Sequence, residues 1–382
     1  MNGPVVGVDA SRSTADQPTG TENYAREILR HLLRLPESAD IEWRLYCRAA
    51  TDLLPPELTD QPNIVPTPLP NRRMWTHRSL GPEVRHRRPD VLFVPAHVLP
   101  FAWTRRNMPA LVMTIHDLGY RHFPKAHPWR QRAYLNLTTR WAAARAECLI
   151  CDSEATRQDL IRFHRADPGR LHTVHLGWTP PPDPDPACDP GAVLARFGLR
   201  RPFALFVSTL QPRKNAERLI HAYSRLHARE DPGWDLVLAG RVGWLAEPIL
   251  AAARSSPAAE AIHIVGYVDG EDVAVLRRQA RFFCYPSLHE GFGLPVLEAQ
   301  SQGVPVLTSN RSSLPEVAGD AALLVDPEDV DEIAQAMLRL SRDEELRAEL
   351  VAKGHENVKR FSWEKAARET LAVLKRAMNK AP

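Results

Sequence analysis

Apolar positions in the first half of the chain fall into short runs separated by longer stretches of helical spacing. Residues 5–8, 41–47, 91–94, 111–115, 148–151 and 171–174 are apolar runs of strand length, and residues 23–34, 128–146 and 154–164 repeat their apolar positions every three to four residues. Strands that alternate with helices imply parallel strands joined by crossover helices, an α/β sandwich. The same alternation resumes in the second half. Strands are expected at 203–208, 236–239, 262–265, 282–285, 304–308 and 322–325, and helices at 215–229, 244–253, 272–279, 295–302, 330–340 and 343–360. A last helix is expected after Phe361, with Ser362 as its N-cap.

Between the halves, residues 177–191 hold six prolines and belong to no central strand or helix. The expected organisation is a first α/β domain at 1–178, a proline-rich linker at 179–191, a second α/β domain at 192–360 and a terminal helix at 361–382. Ligands of such sheets bind beyond the carboxyl ends of the strands. With two facing sheets, the cleft between the domains is the expected site.

Composition adds limits. The chain has 382 residues, 44% of them hydrophobic and 25% charged, enough to bury two ordinary cores without staples. There is no apolar run of 18 residues and no charged start followed by a long apolar stretch. The five cysteines have no disulfide-framework spacing, and Cys148 and Cys151 sit in an apolar run that reads as a buried strand. Together these features favour the cytoplasm. Charge is uneven: residues 71–145 carry 14 Lys and Arg against three acidic residues, Glu83, Asp90 and Asp117. That excess suits an anionic partner, such as a phospholipid surface, a lipid diphosphate or a nucleic acid, although arginines scattered over helix surfaces account for it too. Nucleic acid is the least suited, because the region has no aromatic stacking strip and no known module.

The strongest chemical signal is His289-Glu290-Gly291-Phe292-Gly293-Leu294-Pro295-Val296-Leu297-Glu298, which follows an expected strand and enters an expected helix. Gly291 and Gly293 leave the backbone bare, so amides can approach an anion, and the helix start favours phosphate. Glu290 and Glu298, eight residues apart, are placed to accept from hydroxyls on either side of a bound diphosphate. Arg213 and Lys214 form a cationic pair at the carboxyl end of another expected strand, 76 residues before Glu290.

These segments resemble the Glu-x7-Glu motif and its companions in retaining glycosyltransferases of the GT-B fold, specifically the large family 4. Ser208-Thr209-Leu210-Gln211-Pro212-Arg213-Lys214-Asn215 is similar to that family's strand-end element, and Gly266-Tyr267-Val268 to its nucleobase loop. Residues 309–319 and Phe361-Ser362-Trp363 also follow its pattern, and the second half matches more strongly than the first. The implied architecture is two Rossmann-like parallel-sheet domains facing across a cleft, with the C-terminal helix crossing back to the first.

The resemblance also implies roles. Arg213 and Lys214 neutralise the donor diphosphate, Glu298 binds the ribose, Glu290 contacts the transferred sugar, and the amides of Gly291, Phe292, Gly293 and Leu294 serve the sugar or distal phosphate. Ser208, Tyr267 and Val268 complete the donor side. In the first domain Gly20 matches a glycine near the diphosphate, although Thr19-Gly20-Thr21 has one glycine where the family often has two. His116 matches a histidine near the sugar, and Asp117 orients it or touches the acceptor. His97 is a further residue placed to line the cleft. No metal site emerges, since Asp183-Pro184-Asp185 has the form of a DxD signature but lies in the linker. No cofactor is expected.

The expected reaction is transfer of a hexose with retention, by front-face substitution in which the leaving diphosphate takes the acceptor's proton. Domain closure is expected to exclude water. The wording of residues 289–298 and 309–319 is most like that of mannosyltransferases using GDP-mannose, with UDP- and dTDP-sugars as alternative donors. The basic region favours a saccharide or lipid-diphosphate-linked acceptor of surface glycan synthesis, with peripheral contact at the inner membrane face. Rival readings are a phosphorylase or epimerase of the same fold, and a non-catalytic nucleotide-sugar-binding subunit.

Overall fold

A computed structural model of the chain describes residues 3–13, 20–48, 61–70, 73–96, 98–100, 108–126, 128–180 and 188–379. His97, Thr19, Asp183, Asp185 and most of the proline-rich segment lie outside the described residues. The chain forms two compact units, one of Met1–Gly177 with Phe361–Pro382 and one of Trp178–Arg360. Among the described residues, no helix is long and apolar enough to cross a membrane.

The first unit is built on seven strands: β1 (Val5–Asp9), β2 (Glu42–Arg48), β3 (Ile64–Leu69), β4 (Val91–Val94), β5 (Ala110–Ile115), β6 (Cys148–Cys151) and β7 (Leu171–Thr173). Every pairing is parallel and the order is β3-β2-β1-β4-β5-β6-β7. Helices cover the faces, so the central strands β4, β5 and β6 are buried along their whole length and read as unbroken apolar runs. The edge strand β3 was not legible as a strand, because Pro66 and Pro68 interrupt its apolar positions. Proline is tolerated there because an edge strand has one side without ladder donors to supply.

The terminal helix Trp363–Met378 belongs to this unit, packing on the helix Gly20–Arg34 and on β4, β5 and β6. Ser362 caps it, accepting a hydrogen bond from the Lys365 amide. Gly177 is fixed by close approach: a Cβ at that position would come within 2.2 Å of the Trp363 backbone nitrogen.

The second unit has six strands: β8 (Phe203–Val207), β9 (Asp235–Ala239), β10 (Ile262–Gly266), β11 (Phe282–Tyr285), β12 (Val306–Ser309) and β13 (Ala322–Val325). They are parallel in the order β10-β9-β8-β11-β12-β13. Phe203, Phe206, Phe282, Phe283, Tyr285 and Trp234 fill its core. Two elements differ from the pattern reading. The helix Pro190–Arg196 starts inside the proline-rich segment, because Asp189 accepts from the Gly191 amide and Pro190 needs no donor in a first turn. Trp244 precedes its helix, Glu247–Arg254, because Leu245 takes a left-handed conformation, with φ of 54°.

Each sheet reverses its strand order once, between β1 and β4 in the first unit and between β8 and β11 in the second. In sheets of this kind the loops leaving the strands at a reversal diverge, and ligands bind between them at the carboxyl edge. The strongest sequence motif follows β11, and the cationic pair follows β8.

Candidate functional site

After β8 the chain makes a single 3-10 turn, Pro212–Lys214, which ends on Asn215 in the left-handed region with φ of 64°. The Asn215 side-chain Nδ2 donates to the carbonyls of Pro286, at 2.9 Å, and Pro327, at 2.6 Å. This pins the turn against the loop that leaves β11 and directs Lys214 inward. Lys214 is only 8% exposed, and its Nζ donates to Glu290 Oε1 at 2.7 Å and to the Tyr285 hydroxyl at 2.6 Å. Arg213 Nη1 donates to the other Glu290 oxygen, Oε2, at 2.9 Å and to the His289 carbonyl at 2.6 Å. Glu290, itself buried, is thus held by two cations, one on each carboxylate oxygen.

The electrostatics follow. Burial alone raises the pKa of Glu290, but the Lys214 and Arg213 charges and their hydrogen bonds outweigh it and bring the carboxyl down to about 2. Glu290 is therefore a carboxylate throughout the physiological range and holds no proton to give. Burial also keeps the Tyr285 hydroxyl neutral, its pKa raised well above the usual 10.0, so it serves as a hydrogen-bond partner of Lys214.

The loop is held from the far side by Ser312 and Ser313. The Glu290 amide donates to Ser312 Oγ at 2.8 Å, and the Ser313 hydroxyl reaches the carbonyls of Phe292 at 2.6 Å and Glu290 at 3.0 Å. Gly293 has φ of 119°, a conformation that L side chains rarely adopt, and it serves as the N-cap of the helix Leu294–Ser301. It offers no side chain to cap that helix; Pro295 has no N–H and the Val296 amide donates to the Gly293 carbonyl, which leaves the Leu294 amide at the helix start.

Glu298 lies farther along the same helix. Its Oε2 accepts from Arg277 Nη2 at 2.6 Å, and Arg277, 3% exposed, also donates to Gln302 at 3.0 Å. Ser208 stands at the end of β8, beside the end of β9, and its amide donates to the Ala239 carbonyl. In the loop after β10, Val268 is buried and Tyr267 is 65% exposed, with the Arg241 guanidinium 4.6 Å above its ring.

In the first unit, His116 and Asp117 follow β5. His116 Nδ1 lies 2.6 Å from Asp152 Oδ2, and its Nε2 lies 3.2 Å from the Pro95 carbonyl. Asp117 accepts from the Gly119 amide at 2.9 Å and so helps form the short helix Gly119–His122. Gly20 opens the helix Gly20–Arg34, and a Cβ there would meet no described atom within 4 Å. A separate cavity of about 400 Å³ opens where the strand order reverses, lined by Asp9, Arg12, Arg48, Arg73, Trp75 and His77 among others.

The structure thus brings Arg213, Lys214 and Glu290 into direct contact and sets Gly291–Leu294, Glu298, Ser208, Tyr267 and Val268 at the carboxyl edge of the same sheet or on the helix that leaves it. Four groups escaped the sequence reading. Tyr285 ends an apolar strand and reads as core. Arg277, Arg48 and Asp152 look like ordinary helix or loop charges, and only the fold shows that Arg277 and Asp152 are buried.

Comparison with known proteins bears on this geometry. Residues 196–357 match the family described as glycosyl transferases group 1, and residues 18–180 match glycosyltransferase family 4. O-antigen chain mannosyltransferase B of Escherichia coli is 33% identical over 307 residues, which cover 80% of this chain and 77% of that one. Among solved structures, a sucrose-phosphate synthase from Thermosynechococcus elongatus superposes with a TM-score of 0.73 at 20% identity, over 99% of this chain and 100% of that one. HepE of Anabaena, in complex with UDP and glucose, has a TM-score of 0.69 at 16% identity, over 98% of this chain and 100% of that one.

Proposed function

The chain belongs to the family 4, or group 1, glycosyltransferases and has their GT-B fold, and we propose that it transfers mannose from GDP-mannose, with retention of configuration, to a diphosphate-bearing saccharide acceptor in surface glycan synthesis. The observation that carries the donor side is the ion-paired cluster of Arg213, Lys214 and Glu290 beside an uncapped helix start. The mannosyl group is supported by the likeness to O-antigen chain mannosyltransferase B.

In this reading the donor diphosphate lies against Arg213, Lys214 and the amides of the Gly291–Leu294 segment. Glu298, oriented by Arg277, accepts the ribose hydroxyls, and the Tyr267–Val268 loop meets the base. As the bond between the sugar C1 and the diphosphate oxygen breaks, the leaving group gains negative charge, and the two cations stabilise it where a divalent ion does so in other diphosphate sites. The acceptor hydroxyl attacks C1 from the same face, and its proton passes to the departing diphosphate oxygen. The low basicity of Glu290 argues against its acting as a covalent nucleophile. It holds the cations in place and accepts from sugar hydroxyls instead.

The acceptor side rests on the cavity lined by Arg12, Arg48 and Arg73, which provides three guanidinium groups against the Asp9 carboxylate. A lipid-linked diphosphate brings a matching charge and places the reaction at the inner membrane face. Incubation with GDP-mannose and a lipid-diphosphate-linked saccharide, followed by NMR of the product anomer, tests the reading. An α-mannoside from the α-linked donor is expected, and a β-mannoside contradicts retention.

A further inference from the structure

The helix Trp129–Arg145 buries only part of its surface in the first unit. Its buried residues, Thr138, Thr139 and Ala142, share one face. On the opposite face Trp129, Ala133, Leu137 and Arg140 follow one another every three or four positions. All four are exposed, Trp129 at 68% and Leu137 at 58%. Among the described residues of the first unit, the exposed large apolar side chains are Val65, Met74, Trp129, Tyr134 and Leu137. All but Val65 lie on this helix or line the cavity of Arg12, Arg48 and Arg73, and Tyr134 does both. Exposed apolar side chains scattered singly need no explanation, but a group of them beside one cavity marks an interaction surface.

The same surface is cationic. Residues 118–146 contain Arg121, Lys125, Arg130, Arg132, Arg140 and Arg145 and no Asp or Glu. The Arg130 guanidinium lies 5.4 Å from the centre of the Trp129 ring. Beside Trp129 a crevice of about 480 Å³ is lined by Arg121, Arg132, Asn136 and Tyr120 among others. Arg132 donates to the Pro124 carbonyl at 3.0 Å and Arg121 to Asn136 Oδ1 at 3.3 Å, neutral acceptors that steady the side chains without cancelling their charge. A second copy of the chain meeting this face with its own would set cation against cation. A bilayer with anionic headgroups suits both halves of the pattern: tryptophan sits at headgroup level, leucine reaches the acyl boundary, and arginines meet the phosphates.

We propose that the exposed face of Trp129, Ala133, Leu137 and Arg140, with Arg130 and the Arg121–Arg132 crevice beside it, is the surface on which the chain lies against an anionic phospholipid bilayer. Trp129 and Leu137 enter the interface, and the arginines bind headgroup phosphates. This deepens the reading of the acceptor as lipid-linked and rests on that reading for its purpose alone. Tyr134 joins the helix to the cavity, so a diphosphate whose lipid stays in the bilayer is delivered beside Arg12, Arg48 and Arg73.

Vesicle binding by the full chain, without donor or acceptor, tests it. The wild type is expected to co-sediment with vesicles of equal parts phosphatidylglycerol and phosphatidylcholine, to leave them as salt is raised, and to ignore phosphatidylcholine alone. Trp129→Ala combined with Leu137→Ala should weaken binding about tenfold or more, and Arg130→Gln and Arg140→Gln about fivefold each. These side chains are exposed, so the melting temperatures should stay at the wild-type value, which separates lost binding from lost folding. Wild-type protein that binds neutral and anionic vesicles alike, or variants that bind as the wild type does, overturn the proposal. So does binding abolished by an equal concentration of inorganic phosphate, which assigns the arginines to a soluble anion. Self-association of the wild type that Trp129→Ala abolishes assigns the face to a second copy and overturns it too. A wild-type protein that turns over no nucleotide sugar defeats the glycosyltransferase reading instead, and vesicle binding still decides the role of this face.

Discussion

Lys214 keeps its ammonium group where there is little water, and Glu290 makes that affordable by accepting from it at 2.7 Å. The two cannot be changed independently. Removing Lys214 leaves a buried carboxylate with Arg213 alone, and breaking a buried pair in this way costs about 3–5 kcal/mol. Glu290→Gln is the cleaner probe because it keeps the shape. Transfer in that variant should fall about a hundredfold to a thousandfold, measured as product formed per minute at saturating donor, with the melting transition still cooperative. The pH dependence of stability has a definite sign. The folded-state value of Glu290 is about 2, below its ordinary 4.5, so the ion pair contributes fully above 4.5 and its contribution is lost as the pH falls toward 2. Over that window the wild-type denaturation midpoint should fall more steeply than that of Glu290→Gln. Parallel curves would show that the pair contributes nothing to folding. At this scale the sequence revealed Glu290, Glu298, Arg213 and Lys214, because their spacing relative to glycines and strand ends is distinctive. It did not reveal Arg277 or Asp152, whose meaning depends on burial and on partners 21 and 36 residues away.

At the scale of elements, the decisive feature is how the chain enters the helix Leu294–Ser301. A left-handed Gly293 cap makes the turn tight and leaves the helix start without a side chain in the way of an anion. Gly293→Ala forces an alanine into φ of 119° and brings its Cβ within 2.8 Å of Leu314 Cδ2. The leucine end can move, so backbone strain dominates, at about 1–3 kcal/mol. The expected result is a lower melting temperature together with weaker donor binding, read by calorimetry with GDP as ligand. Unchanged affinity would separate the helix start from the phosphate. Strands buried on both faces were legible as unbroken apolar runs, as at β4, β5, β6 and β11. Strand β3 was not, since edge prolines mimic a loop. The helix Pro190–Arg196 was not either, since its opening proline looks like the last of a linker.

At the scale of the whole molecule, the fold reverses strand order once in each sheet, and Arg213, Lys214 and Glu290 lie after β8 and β11, the strands at the second reversal. This was foreseeable as architecture from the repeated strand–helix alternation. The cavity of Arg12, Arg48 and Arg73 was not, because it joins the ends of separate strands with a segment around residue 73. The charge excess of residues 71–145 pointed to an anionic partner, but it placed only one of these three arginines. If the cavity takes the acceptor diphosphate, Arg48→Ala should raise the acceptor KM about tenfold, a loss of about 1.4 kcal/mol. Raising the salt should weaken acceptor binding to the wild type more than to the variant. An acceptor KM unaffected by both changes means that the cavity does not hold the acceptor.

If the cluster of Arg213, Lys214 and Glu290 binds and activates a nucleotide-diphosphate sugar, the protein consumes such a sugar and needs the cluster to do so. Donor consumption by the purified protein, followed over GDP-, UDP- and dTDP-linked sugars with wild type and Glu290→Gln side by side, tests it most directly. The wild type is expected to consume GDP-mannose in preference to the others, and Glu290→Gln to do so at least about a hundredfold more slowly. Consumption of no nucleotide sugar by the wild type, or equal rates for the two proteins, would contradict it.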